Sequence, residues 1–140
     1  MCTQFTTLAE SNSFRHILQC EHGTIHLSWD LVTLYLNFSE FEHLADLLER
    51  GVHLIETSKI TQPPCILSYN EQGYYQVWIR NIVINLMPID FLILVDLVRV
   101  ALLAAGNQPG LGRTAPPREA QPQDLRRIVT ASAHLRFSVN

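Results

Sequence analysis

The chain matches itself at an offset of 50 residues, with no gap. Glu21-His22-Gly23 lines up with Glu71-Gln72-Gly73, and Phe41, Leu44, Asp46 and Leu47 line up with Phe91, Leu94, Asp96 and Leu97. Leu36 falls on Leu86, and apolar character is kept at Ile25/Tyr75, Leu27/Val77, Val32/Ile82, Leu34/Ile84, Ala45/Val95 and Leu48/Val98. A self-match of this period makes each copy one supersecondary unit, with its apolar face buried against a neighbour.

The first unit reads as three strands and a helix. Phe14 to Cys20 alternates, Glu21-His22-Gly23 turns the chain, and Ile25, Leu27 and Trp29 make one face of the next strand. Asp30-Leu31 turns again, and Val32, Leu34 and Leu36 form the third inward row. The period then changes from two to 3.6. Ser39 and Glu42 have capping-box spacing. Phe41, Leu44, Ala45, Leu47 and Leu48 form a helical stripe, Glu40, Glu42, Asp46, Glu49 and Arg50 form the wet face, and Gly51 is a natural stop. The second unit runs parallel to this, from Cys65 through the Glu71-Gln72-Gly73 and Arg80-Asn81 turns to a helix from Pro88. The expected fold is α+β: two β-β-β-α repeats related by a pseudo-two-fold, with antiparallel strands and helices on one face. Residues 1–13 read as a flexible arm, 14–105 as the repeated domain (units 14–51 and 65–105), 52–64 as a connector, and 106–140 as a flexible Pro/Gly/Arg-rich tail.

The two helices differ. The second, Asp90 to Leu103, is apolar on all sides except for Asp96 and Arg99, so more than one side of it must be covered. One side is covered by the sheet, the other by the first helix, a second subunit or both. The alternative to a dimer is a monomer with six strands curled around a central helix. At i+3 on the same helix, Arg99 is the nearest partner for Asp96. Across the 140 residues, 47% are hydrophobic and 16% charged, against roughly 25% charged in an average soluble domain. Surplus apolar surface points to a partner that covers it. A homodimer through Leu94, Leu97, Val98 and Ala101 is expected. The apolar run is too short and too interrupted for a membrane span, which takes roughly 20 residues.

Charge is divided along the chain. Residues 1–105 carry five basic and eleven acidic side chains, and residues 106–140 carry five Arg and two acids. The basic tail is a candidate contact for a protein partner, but five Arg without aromatic interleaving is a poor nucleic-acid footprint. Three cysteines, Cys2, Cys20 and Cys65, at unrelated spacings make no secreted disulfide framework. Met1-Cys2-Thr3-Gln4-Phe5 has neither the basic nor the apolar region of a signal peptide, so a cytoplasmic location is expected.

One cluster carries possible chemistry: Cys20 and His22 bracket a tight turn, with His16 and His26 nearby. Thiolate and imidazole form a soft-to-borderline ligand set that suits Zn²⁺ and also ligates haem iron. A structural zinc site needs about four ligands, and only two or three are evident around this turn. In the second unit the equivalent residues are Asn70 and Gln72, so a metal site belongs to one unit or is completed across a dimer axis. As a nucleophilic pair, Cys20 and His22 lack a third group to orient the imidazole and any oxyanion donor beyond the Gly23 amide. His43, His53 and His134 read as solvated.

The run Cys20-Glu21-His22-Gly23-Thr24-Ile25-His26-Leu27, then Val32-Thr33-Leu34-Tyr35-Leu36 and the Glu40-Phe41 helix, resembles a set of small uncharacterised bacterial proteins. In these a cysteine turn opens a hairpin before a helix. The resemblance covers roughly residues 17–48. Their turn carries a second cysteine where His22 or Gly23 stands here, and the resemblance implies no activity. The expected function is a small, non-enzymatic binding or adaptor protein acting as a homodimer and requiring no cofactor. The alternatives are a Zn²⁺- or haem-binding regulatory protein using the Cys20-His22 turn, and a small enzyme with a Cys20/His22 site.

Overall fold

A computed structural model describes residues 1–54 and 58–106. The fold is α+β, with two antiparallel four-stranded sheets and two helices packed on them. The first sheet is a meander of β1 (Phe5–Asn12), β2 (Arg15–Cys20), β3 (Ile25–Trp29) and β4 (Val32–Leu36), followed by α1 (Phe38–Gly51). The second is a meander of β5 (Ser58–Gln62), β6 (Cys65–Tyr69), β7 (Tyr75–Ile79) and β8 (Ile82–Leu86), followed by α2 (Pro88–Gly106).

Each sheet therefore has four strands where the pattern predicted three. The expected arm holds β1, which pairs with β2 from Phe5↔Cys20 to Asn12↔Arg15. Its register slips between Thr7 and Ala9 and again between Glu10 and Asn12. Neighbouring Leu8 and Ala9 are consequently both buried, and the period-two signal is lost. The expected connector holds β5, an edge strand with one apolar residue, Ile60. The expected tail lies outside the described residues apart from Gly106.

The paired registers fall on equivalent positions. Ile25↔Leu36 in the first sheet corresponds to Tyr75↔Leu86 in the second, and Trp29↔Val32 to Ile79↔Ile82. The turns use the same backbone, with positive φ at Gly23 (84°) and Gly73 (87°), and at Asp30 (54°) and Arg80 (55°). Only glycine adopts that region without cost; Asp tolerates it better than Arg does.

Each helix packs mainly on the sheet of the other half. α1 lies on β5 and β6, α2 lies on β1 and β2, and the helices touch each other. Arg99 reaches across to Glu49 in a two-pronged pair at 2.6 and 2.9 Å, and the Asp96 carboxylate, at i−3, adds to the negative charge that favours its guanidinium. Arg15 ties the first sheet to the start of α2. Its guanidinium lies 4.1 Å from the centre of the Trp29 ring and pairs with Asp30 (2.8 Å) and Asp90 (3.0 Å).

This crossing over accounts for α2. Leu94, Leu97, Val98 and Ala101 are at most 4% exposed within the single chain. The four residues expected to form a dimer interface are covered by the first sheet and α1, and they present no open surface. α1 begins two residues earlier than Ser39 would set it. Asn37 caps Glu40 N–H at 2.8 Å and the Glu40 carboxylate returns to Asn37 N–H at 2.9 Å, so this is the capping box. Gly51 is the last helical residue, not a left-handed stop. An added Cβ there would overlap the Leu67 side chain. Among the described residues no helix is long and apolar enough to cross a membrane.

Candidate metal site at the β2–β3 turn

The β2–β3 turn is closed by two backbone bonds, Cys20 N–H to Thr24 C=O (3.1 Å) and Gly23 N–H to Cys20 C=O (2.9 Å). Cys20 ends β2 on the sheet face turned away from the helices, opposite Phe5. The pairing continues one step past β1, with Glu21 N–H donating to Gln4 C=O at 3.2 Å. The Glu21 carboxylate then holds the chain end. It accepts from Thr3 N–H (2.9 Å), the Thr3 hydroxyl (3.2 Å) and Gln4 N–H (3.2 Å). These donors keep the Glu21 pKa low, at about 2.

That anchoring brings Cys2 over the turn. The Sγ atoms of Cys2 and Cys20, a ring nitrogen of His22 and a carboxylate oxygen of Glu21 all lie within 4.8 Å of one another. Cys2 Sγ and His22 Nδ1 are 3.6 Å apart. Burial pushes the Cys20 thiol up, but the Cys2 thiol, the His26 imidazole and the backbone N–H groups of His22 and Thr24 outweigh it and bring the pKa to about 6. Donating to Cys20 raises Cys2. The backbone N–H groups of His22 and Thr24 favour the thiolate form of Cys20.

Cys20 and His22 are thus brought together as the sequence suggested. His26 sits at the margin. Its ring packs edge-on between Phe5 (5.2 Å) and Tyr35 (4.9 Å), and its Nε2 is buried with no hydrogen-bond partner among the described residues. His16 does not join the cluster. It shares a strand face with Cys20, but four strand residues span about 13 Å. Cys2, in the segment expected to be a loose arm, is the member of the cluster that the sequence does not reveal. β1 had to be recognised before Cys2 could be placed.

The second half builds the same turn without these groups. Asn70 N–H donates to Tyr74 C=O (3.0 Å) and Gly73 N–H to Asn70 C=O (3.1 Å). The Asn70 side chain accepts from Gln72 N–H (3.1 Å) and Tyr74 N–H (3.0 Å). The third cysteine, Cys65 on β6, is fully buried, and burial pushes its thiol up to about 11. A separate cleft of about 270 Å³ lies between α1 and α2, lined by Ala45, Asp46, Glu49, Val95, Arg99 and Leu102. It holds no cysteine or histidine. His43, expected in solvent, has its Nδ1 2.9 Å from the Pro63 carbonyl.

Comparison of the chain with protein-family models, with curated proteins and with solved structures gives no match.

Proposed function

We propose that the chain is a tandem pair of ββββα units whose first copy carries a metal site, and that the protein binds a soft-to-borderline divalent ion, Zn²⁺ foremost. Cys2, Cys20 and His22 are the ligands. The observation that carries this reading is the convergence of two thiols and an imidazole within 4.8 Å. In a zinc tetrahedron with Zn–S near 2.3 Å and Zn–N near 2.0–2.1 Å, a sulfur and a nitrogen lie about 3.6 Å apart. Cys2 Sγ and His22 Nδ1 stand at 3.6 Å.

The chemistry of the donors agrees. A metal binds thiolate, and Cys20 is the cysteine whose surroundings favour that form. The Glu21 carboxylate is held by three donors and acts as the post that positions Cys2, so the fourth vertex is left to water. Nor does the turn need these residues for its shape, because Asn70 and Gln72 serve in the other copy. The equivalent strand registers and turn angles of the two halves support the tandem relation.

Native mass spectrometry of the full chain, purified without chelator, tests the site, with Co²⁺ substitution as the spectroscopic probe. One Zn²⁺ per chain is expected, with thiolate-to-Co²⁺ absorption that is lost in Cys20→Ser and weakened in His22→Ala. A wild-type chain that keeps no metal and gives no such absorption on Co²⁺ titration would overturn the reading.

A further inference from the structure

The geometry points to a second chemistry at the same turn: Cys2 and Cys20 form an oxidisable dithiol that closes to an intramolecular disulfide at the expense of a peroxide. The proposal shares two sulfurs with the metal site but does not rest on it, because the pair is in place whether or not an ion binds.

Three features of the structure support it. The two Sγ atoms are already within 4.8 Å, and a disulfide brings them to about 2.05 Å. The approach falls to Cys2, which precedes the anchored residues Thr3 and Gln4 and lies outside β1. Cys20 ends a paired strand and stays where it is. Access sets the third cysteine apart: Cys2 is half-buried and Cys20 keeps 5% of its surface exposed at the turn, whereas Cys65, at 0%, is enclosed in the core and cannot compete.

The step balances with peroxide as the only co-reactant. The Cys20 sulfur, as thiolate, attacks one peroxide oxygen. The O–O bond breaks, the other oxygen leaves and is protonated to water, and Cys20 is left as a sulfenic acid. The Cys2 sulfur then attacks the Cys20 sulfur. The S–O bond breaks, a second water leaves with the proton from Cys2, and the S–S bond is made. Two thiols are oxidised by two electrons and one peroxide is reduced to two waters. Closing the bridge consumes both sulfur ligands, so a chain so oxidised cannot hold Zn²⁺ in the way proposed above.

The test uses the full chain stripped with chelator and treated with a few equivalents of hydrogen peroxide, then mapped by mass spectrometry without reduction. Expected is a monomer lighter by two hydrogens, with the Cys2 and Cys20 peptides joined and Cys65 alkylated only after denaturation. In Cys2→Ser, Cys20 stops at the sulfenic acid and is captured by dimedone. Retention of both thiols would overturn the proposal, as would bridging between chains or pairing through Cys65. A parallel sample loaded with Zn²⁺ separates the two readings. A disulfide in a chain that never takes up metal upholds this one and removes the metal site. Metal uptake without any disulfide does the reverse.

Discussion

Gly51→Ala tests the crossing of the helices. Gly51 is in ordinary helical conformation, so alanine meets no backbone strain there. On helix propensity alone the substitution should stabilise by about 1 kcal/mol. The structure predicts the opposite sign. The new methyl would overlap the Leu67 side chain on β6 and stand 3.0 Å from Phe91 Cζ on α2. Leu67 is 0% exposed and Phe91 1%, and the Phe91 ring is stacked 3.9 Å from that of Tyr75, so neither neighbour has open space to move into. Overpacking of a closed core costs about 1–3 kcal/mol. Set against the gain of about 1 kcal/mol in propensity, the net loss is up to about 2 kcal/mol. Leu67→Ala alone should cost about 2–5 kcal/mol by leaving a cavity. In that background the methyl at 51 enters the cavity, so Gly51→Ala turns stabilising. The cycle should close with a favourable coupling of about 1–3 kcal/mol. Urea unfolding of the full chain, followed by far-ultraviolet circular dichroism, gives all four stabilities if the m-value stays constant. A Gly51→Ala that stabilises by the same amount in both backgrounds would refute the seating of α1 on the second sheet.

Two further predictions concern the start of α1. Asn37→Ala removes the bond from the Asn37 side chain to Glu40 N–H and should lower stability by about 1 kcal/mol in the same urea assay, whereas Ser39→Ala should have little effect. Glu40→Gln keeps a capping side chain and removes its charge. Asn37 N–H, then Arg80, holds the Glu40 carboxyl below its ordinary value of 4.5. A depressed folded pKa stabilises above the unfolded value and is lost as pH falls through the folded one. The deficit of Glu40→Gln relative to wild type should therefore be present at pH 7 and shrink as both are taken down from about pH 4.5. A deficit that stays constant to pH 2.5 would count against a role for the ionised carboxylate.

What could be read from the sequence depended on how regular the burial is along each element. β3, β4, β7 and β8 keep strict or near-strict alternation, α1 shows one apolar stripe and α2 is apolar nearly throughout, so their positions follow from Ile25, Leu27, Leu34 and Leu36 and the residues 50 further on. β1 was hidden because its two register slips place Leu8 and Ala9 side by side in the core. β5 was hidden because an edge strand with a single apolar residue looks like a connector. The capping box was misplaced by two residues because Asn37/Glu40 and Ser39/Glu42 both fit the spacing. Phe38, which packs against the core, begins the helix earlier. The site was half legible. Cys20 and His22 are local to one turn, whereas Cys2 reaches it only through the pairing of β1 and the anchoring by Glu21.

The apolar character of α2 was read correctly, but the cover it requires comes from inside the chain. A helix apolar all round asks for two contacts. From the sequence, the contact beyond the sheet could come from the first helix, from a second subunit or from both, and the homodimer was one of these. Here α2 crosses to the first sheet and α1 crosses to the second, and the helices close on each other between Glu49 and Arg99. On the tandem relation proposed above, the chain buries within itself what two separate copies would bury between them. The same relation leaves each turn free to diverge, because neither turn lies in the helix-packed core. Asn70 gives one of them a self-contained hydrogen-bonded loop. In the other, Glu21 spends its carboxylate on fastening the chain end. That fastening brings Cys2 over the turn, and without it the turn would offer only Cys20 and His22.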